Sequence, residues 1–231
     1  LLKERKSIVF EIMILVPTRG RPQNARRLYD SLMETANRGF GIEFCVDEDD
    51  PYLEAYLDIL PKNTVAVGNP NRLGPWLNIA ALAHLAEYDI IGFIGDDVVS
   101  RTYAWDEDVR EAYGEYMIAY PNDGWQGEGL PTSVFIDAFL IHCLGYMVHP
   151  SFSHLYIDNH WKRLGEELGT LTYLKDVHME HMHPFAGKAA DDATYQAANS
   201  PDQYSKDGIA FQKWEMFHLP QDVELLTEGF V

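Results

Sequence analysis

Four apolar runs, each followed by a helix-patterned segment or a polar turn, constrain this chain more than any other feature. Residues 8–16 (IVFEIMILV) are almost continuously apolar and predict a buried strand. The run ends in Pro17-Thr18-Arg19-Gly20-Arg21-Pro22, which is turn chemistry, and residues 24–33 then carry helical spacing with Leu28, Leu32 and Met33 on one face. Residues 42–46 predict a second strand running into Asp47-Glu48-Asp49-Asp50-Pro51, residues 52–60 a helix, and residues 64–67 a third strand. A loop through Arg72, Leu73 and Gly74 leads to an Ala-rich helix over 76–87, and residues 90–94 form a fourth strand ending in Gly95-Asp96-Asp97. This β-α-β-α-β-α-β alternation is the signature of an α/β fold: a mostly parallel central sheet flanked by helices, Rossmann-like in its winding. Ligands of such sheets sit at the carboxyl ends of the strands. Three polar clusters fall there: 17–21, 47–50 and 96–97.

The second half is less regular. Residues 133–143 predict a strand and the start of a helix, 158–168 a helix, and 171–179 a strand. The segment 123–129 (DGWQGEG) reads as a flexible, functional loop, and the stretch after Asn199 as a polar, then partly aromatic, tail. No repeat or linker divides the 231 residues, so a single domain over 1–231 is expected, with a half over about 8–100, a second half over about 101–200 and a C-terminal tail over 200–231. No apolar stretch approaches a membrane span. The balance of 36 acidic against 18 basic side chains, a net charge of −18, opposes generic nucleic-acid binding. Cys45 and Cys143 are too few and too far apart for a disulfide scaffold or a metal spacing, and read as buried free thiols of a reducing compartment.

Several clusters carry chemistry. Asp96 and Asp97 follow a very apolar strand, so their carboxylates are held at a cleft, where paired oxygens suit a hard divalent cation that can bridge a diphosphate; an Asp-rich turn is the plain alternative. The amides, hydroxyl and guanidinium groups of Pro17, Thr18 and Arg19 can contact a nucleotide, or simply form a solvated loop. Asp47 can accept hydrogen bonds from a base or ribose, and Arg72 can balance phosphate charge; either residue, and Asn78 beyond them, can be structural. In His178-Met179-Glu180-His181-Met182-His183, strand geometry puts His181 and His183 on one side. One of them can complete a coordination sphere begun by Asp97, and imidazole suits Mn²⁺ better than Mg²⁺; a polar strand edge is the alternative. Asp158 stands at a helix start, where it can be an N-cap or a carboxylate held beside the cleft. Trp105, Trp125 and the loop 123–129 are candidates for stacking on an acceptor ring, with ordinary half-buried aromatics as the alternative.

Taken in order, ILVPTRGRP (14–22), FCVDEDD (44–50), NRLG (71–74), FIGDD (93–97), GYMVHPSFSHLYIDNHWKRLG (145–165) and HMHPFAGKAADDATY (181–195) resemble a GT-A type nucleotide-sugar glycosyltransferase. The likeness is to the large inverting family 2 group, and especially to its short phage-encoded members. The resemblance implies a single GT-A domain whose first half binds the nucleotide sugar and whose second holds acceptor and metal. It implies that Pro17, Thr18 and Arg19 line the nucleotide site, that Asp47 meets the base and that Arg72 lies near the diphosphate. Asp96 and Asp97 match the DxD-type motif, with Asp97 the direct metal ligand and His181 or His183 joining the shell. Asp158 matches the general base. The implied cofactor is a divalent metal, Mn²⁺ before Mg²⁺, and the implied donor is UDP- or GDP-linked. Two positions depart from the pattern: Gly95 stands where an Asp is usual, and Ile157 precedes Asp158 where a Glu is usual, which leaves Asp191 and Asp192 as substitute bases.

The reaction so implied is metal-dependent glycosyl transfer with inversion, onto a glycan, a protein or a modified nucleobase, in the cytoplasm (the host's, for a phage protein). Two other classes compete. A binding module could hold a nucleotide sugar or glycan without chemistry. A nucleotidyltransferase also places Gly-Asp-Asp at a strand turn, but the chain is short for a polymerase, its charge opposes a template channel, and no Gly-rich phosphate loop with a following Lys succeeds the first strand.

Overall fold

Apolar side chains alternate between the two faces of the first strand, and each face has its own core. In the computed structural model, which describes residues 10–70, 72–183, 187–188, 196 and 199–228, β1 (Ile12–Thr18) sends Ile12, Ile14 and Val16 into one cluster and Met13 and Leu15 into the other. A strand buried on both sides is what a continuous apolar run specifies. The first cluster is completed by α1 (Pro22–Thr35), α2 (Leu53–Ile59) and α4 (Trp105–Glu111). The second is completed by α3 (Leu73–His84), α5 (Ala138–Leu144), α6 (Ile157–Leu168), α7 (Pro201–Phe217) and α8 (Leu219–Glu228).

The remaining strands are β2 (Gly41–Asp47), β3 (Val65–Gly68), β4 (Ile90–Phe93), β5 (Val98–Ser100), β6 (Ile118–Asn122), β7 (Val134–Asp137) and β8 (Leu171–His181). They form one eight-stranded sheet in the order β3-β2-β1-β4-β7-β6-β8-β5. Pairings β3–β2, β2–β1, β1–β4 and β6–β8 are parallel, while β7 runs antiparallel to both neighbours and β5 antiparallel to β8. The mostly parallel α/β sheet expected from the alternation is therefore present. The stretch after Asn199 departs from the expected tail: it forms α7 and α8, which bury Trp214, Leu219 and Leu226 in the second core. Cys45 is a buried free thiol, whereas Cys143 is only half-buried.

Two features of this architecture matter for function. The pairing of β5 with β8 sets Val98 opposite His181, and the Met182 amide donates to the Asp97 carbonyl at 2.8 Å, so the acidic turn and the histidine strand are zipped together. The start of α3 abuts the segment 152–153: the Gly74 amide donates to the Ser153 carbonyl at 3.0 Å, and a Cβ at Gly74 would stand 2.4 Å from the Phe152 carbonyl oxygen. Only glycine fits that approach.

Candidate active site

The carboxyl ends of β1 and β4 meet through one buried hydrogen-bond chain. The Thr18 hydroxyl donates to Asp96 Oδ2 at 2.6 Å and lies 2.9 Å from the Tyr56 hydroxyl, which accepts from the Arg21 amide at 2.7 Å. Arg21 reaches Asp96 Oδ1 at 3.4 Å. Burial, and then the neighbouring Asp97 charge, push Asp96 up to about 6 against the opposing pull of Arg21 and Thr18. Asp96 is thus turned toward the β1 turn. The loop after β1 is braced from β2: Gly20 donates to Asp50, and Arg19 spans Asp47 Oδ2 (3.1 Å) and Asp49 Oδ1 (2.6 Å). Asp47 is buried and also accepts the Trp76 indole N–H at 2.8 Å, so Trp76 is core with one polar task. Arg72 is exposed at the N-cap of α3. Asn78 is structural: it donates to the Val148 carbonyl and accepts the amides of Met147 and Val148. Asn71, Asp191 and Asp192 lie outside the described residues.

Asp97 turns the other way. Its Oδ1 is 3.3 Å from His181 Nε2, while His181 Nδ1 faces Asp123 Oδ2 at 3.9 Å. Burial alone would depress the imidazole, but Asp123 and Asp97 overcome it and raise His181 to about 9. His181, and then Arg21, hold Asp97 below the usual carboxylate range despite its burial. At neutral pH a proton supplies the positive charge this seam demands. A Cβ at Gly95 would stand 2.9 Å from Asp97 Oδ1, so the glycine that departs from the family pattern makes room for that carboxylate.

These residues fit a divalent cation. A carboxylate oxygen and an imidazole nitrogen 3.3 Å apart can touch one ion at bonds of about 2.0–2.2 Å, and the donor set suits a borderline ion such as Mn²⁺. Among the described residues no three His, Cys, Asp or Glu side chains form a metal cluster, so other oxygens must complete the shell. Of the two candidate histidines, His181 is the one beside Asp97. His183 stacks on Trp125 with ring centroids 4.1 Å apart and meets His181 edge-on at 4.9 Å.

Next to this seam lies a cavity of about 330 Å³, lined among others by Asp158, His181, His183 and Trp125. Asp158 sits in the first turn of α6; the N-cap is Tyr156, so Asp158 is not the cap. Its carboxylate accepts the adjacent Asn159 amide at 2.9 Å, and desolvation pushes its pKa up. A half-buried carboxylate with a raised pKa is suited to exchanging a proton in the cleft.

The loop 123–129 is tied rather than loose. Asp123 Oδ1 accepts the amides of Trp125, Gln126 and Gly127 at 2.7–2.9 Å, and its Oδ2 accepts the Thr132 hydroxyl. Trp105, by contrast, cannot meet an acceptor: it is fully buried against Phe40 and Phe135. Sequence reasoning missed Tyr56 and Asp207, and it named Asp123 only as part of the loop 123–129, not as the residue that ties it and faces His181. Only Asp123 carried a signal, since Asp-Gly marks a turn whose amides the side chain can bind. Asp207 of α7 accepts from Ser153, Gln203 and the amides of His154 and Leu155, clipping the segment that leads into Asp158.

No family model matches the sequence, and no curated protein matches it. Solved structures do. The mannosyltransferase PcManGT from Pyrobaculum calidifontis, in complex with GDP-Man and Mn²⁺, matches with TM-score 0.57 at 12% identity over 95% of this chain and 74% of that one. S. aureus TarS 1-349 in complex with UDP-GlcNAc matches with TM-score 0.58 at 14% identity, over 94% and 71%. Glucosyl-3-phosphoglycerate synthase from Mycobacterium tuberculosis, in complex with Mn²⁺, UDP and glucosyl-3-phosphoglycerate, matches with TM-score 0.53 at 15% identity, over 86% and 80%. This likeness establishes the fold: one α/β domain of the GT-A-like kind found in nucleotide-diphospho-sugar transferases. Among the described residues no helix is long and apolar enough to cross a membrane.

Proposed function

We propose that this chain is a metal-dependent, inverting glycosyltransferase that moves a sugar from a nucleoside diphosphate to an acceptor hydroxyl. The single observation that carries the reading is the Asp97–His181 pair, 3.3 Å apart at the end of the parallel sheet, beside a cavity that also holds Asp158. Asp97 and His181 would hold the divalent cation, Mn²⁺ before Mg²⁺, which when bound neutralises charge building on the departing diphosphate. Pro17, Thr18 and Arg19 would line the nucleotide site with Asp47, whose carboxylate Trp76 and Arg19 already orient. Asp96 keeps Thr18 and Arg21 in place at the edge of that site. Arg72, exposed at the start of α3, would meet the phosphates. Asp158 would take the proton of an acceptor hydroxyl positioned opposite the leaving group, a displacement that needs one base and no covalent intermediate. Neighbours bound to GDP-Man, UDP-GlcNAc and UDP support a UDP- or GDP-linked donor. The short phage-encoded branch of family 2 is the subgroup we favour.

The test is a panel of UDP- and GDP-sugars incubated with and without Mn²⁺, with nucleoside diphosphate release measured. Release with one donor, abolished by chelation and by Asp97→Asn, is expected. Asp158→Asn should lower turnover about 10²–10⁴-fold while sparing donor binding. Nucleotide-sugar binding without release from any donor would instead favour the non-catalytic module, a reading to which the departures at Gly95 and Ile157 lend some support.

A further inference from the structure

The cavity beside Asp158 has a chemical character of its own. Its wall includes Trp125, 40% exposed, with one ring face covered by His183 at 4.1 Å. The platform is fixed in advance, because Asp123 accepts the amides of Trp125, Gln126 and Gly127. Tyr156 and Tyr204 contribute further aromatic surface, and Gln126, Thr132 and Asn199 contribute uncharged polar groups. Among the described residues no Lys or Arg lines the cavity. Residues 184–186, 189–195 and 197–198 contain neither type. Lys162 of α6 is committed to the Gly129 carbonyl and to Glu166, Arg21 is held by Asp96, and the His181 imidazole is committed to Asp97. His154 is held toward the neutral form by burial. Among the described residues, Asp158 is the one acidic side chain in the lining.

We propose that the part of this cavity bounded by Trp125 is the acceptor subsite, and that it takes an uncharged pyranose ring and rejects phosphorylated or carboxylated sugars. The inference rests on the reading of Asp158 as the base, since the acceptor hydroxyl must lie next to it. A rigid indole face matches the apolar C–H face of a pyranose, and amide and hydroxyl groups match its ring hydroxyls. An anionic sugar would enter beside the Asp158 carboxylate, with no Lys or Arg side chain in the described lining to replace its hydration.

The experiment uses the full chain with Mn²⁺ and UDP or GDP. The probes are the methyl pyranosides of glucose, galactose, mannose and N-acetylglucosamine, each beside its 6-phosphate, with binding read by saturation-transfer NMR and calorimetry. At least one neutral glycoside should bind, with its phosphate weaker by about tenfold or more. Trp125→Ala should weaken the neutral probe about tenfold and Trp125→Phe should recover most of that loss. Gln126→Arg should narrow the gap by strengthening the phosphate. Equal or tighter binding of the phosphates, no pyranoside bound, or Trp125→Ala indistinguishable from the parent would each overturn the proposal. Nucleotide binding in the same samples separates the failures: a chain that binds nucleotide with Mn²⁺ but no neutral pyranoside defeats this inference alone. A chain that binds no nucleotide defeats the glycosyltransferase reading, and this inference with it.

Discussion

Individual side chains here show how far burial can move a proton. His160 on α6 is fully buried against Phe152 and Trp214, neither ring nitrogen meets a hydrogen-bond partner among the described residues, and desolvation drives its pKa to about 3. The folded state therefore refuses a proton that the unfolded chain accepts at about 6.5. Stability from this residue is whole above pH 6.5 and is lost as pH falls toward 3, at up to about 1.4 kcal/mol per pH unit. Urea unfolding at pH 7 and pH 5 should show that slope, and His160→Leu should flatten it. Asp158 shifts the opposite way. In the proposed role of base its desolvated carboxyl must be ionised, so kcat/KM should fall on the acid side through an apparent pKa above the ordinary 3.8. That limb should vanish in Asp158→Asn. Gly74→Ala forces a methyl against the Phe152 carbonyl at 2.4 Å and should destabilise the chain by about 3 kcal/mol in denaturant titrations.

Elements differed in how clearly the sequence announced them. β1, β2 and β4 read cleanly because their apolar residues fill both cores, and α1 and α6 because one face is buried and the other solvated. β5 has only three residues and β6 contains Pro121, so neither carries a period long enough to register. α7 buries only Asp207 and Trp214 among mixed neighbours, which is why it read as a tail. The candidate site was legible where chemistry stands at strand ends: Thr18, Asp47, Asp96 and Asp97 all lie there. It was illegible where distant segments meet, because nothing local links Asp123 to His181 or Asp207 to the segment 153–155. Asp207 gives the element-scale prediction. Asp207→Ala strands two amides and should cost about 2–4 kcal/mol, with KM for the acceptor and kcat both impaired, while Asp207→Asn retains part of the network. Unchanged stability and kinetics in Asp207→Ala would show that α7 does not support the site.

For the molecule as a whole, two halves of the chain contribute different chemistry to one edge of the sheet. The β1–β4 half supplies the Thr18–Tyr56–Asp96 chain and the Asp97 carboxylate; the β5–β8 half supplies His181, Asp123 and the Trp125 wall. The β5–β8 pairing joins them, so the proposed cation seat would form only in the assembled fold. The most direct measurement of that claim is a Mn²⁺ titration followed by electron paramagnetic resonance, with the parent and Asp97→Asn chains in the presence of UDP or GDP. The account predicts one Mn²⁺ per parent chain in the presence of a matching nucleotide, and at least tenfold weaker binding in Asp97→Asn. Equal Mn²⁺ affinity in the two chains, or none in the parent with either nucleotide, would contradict it.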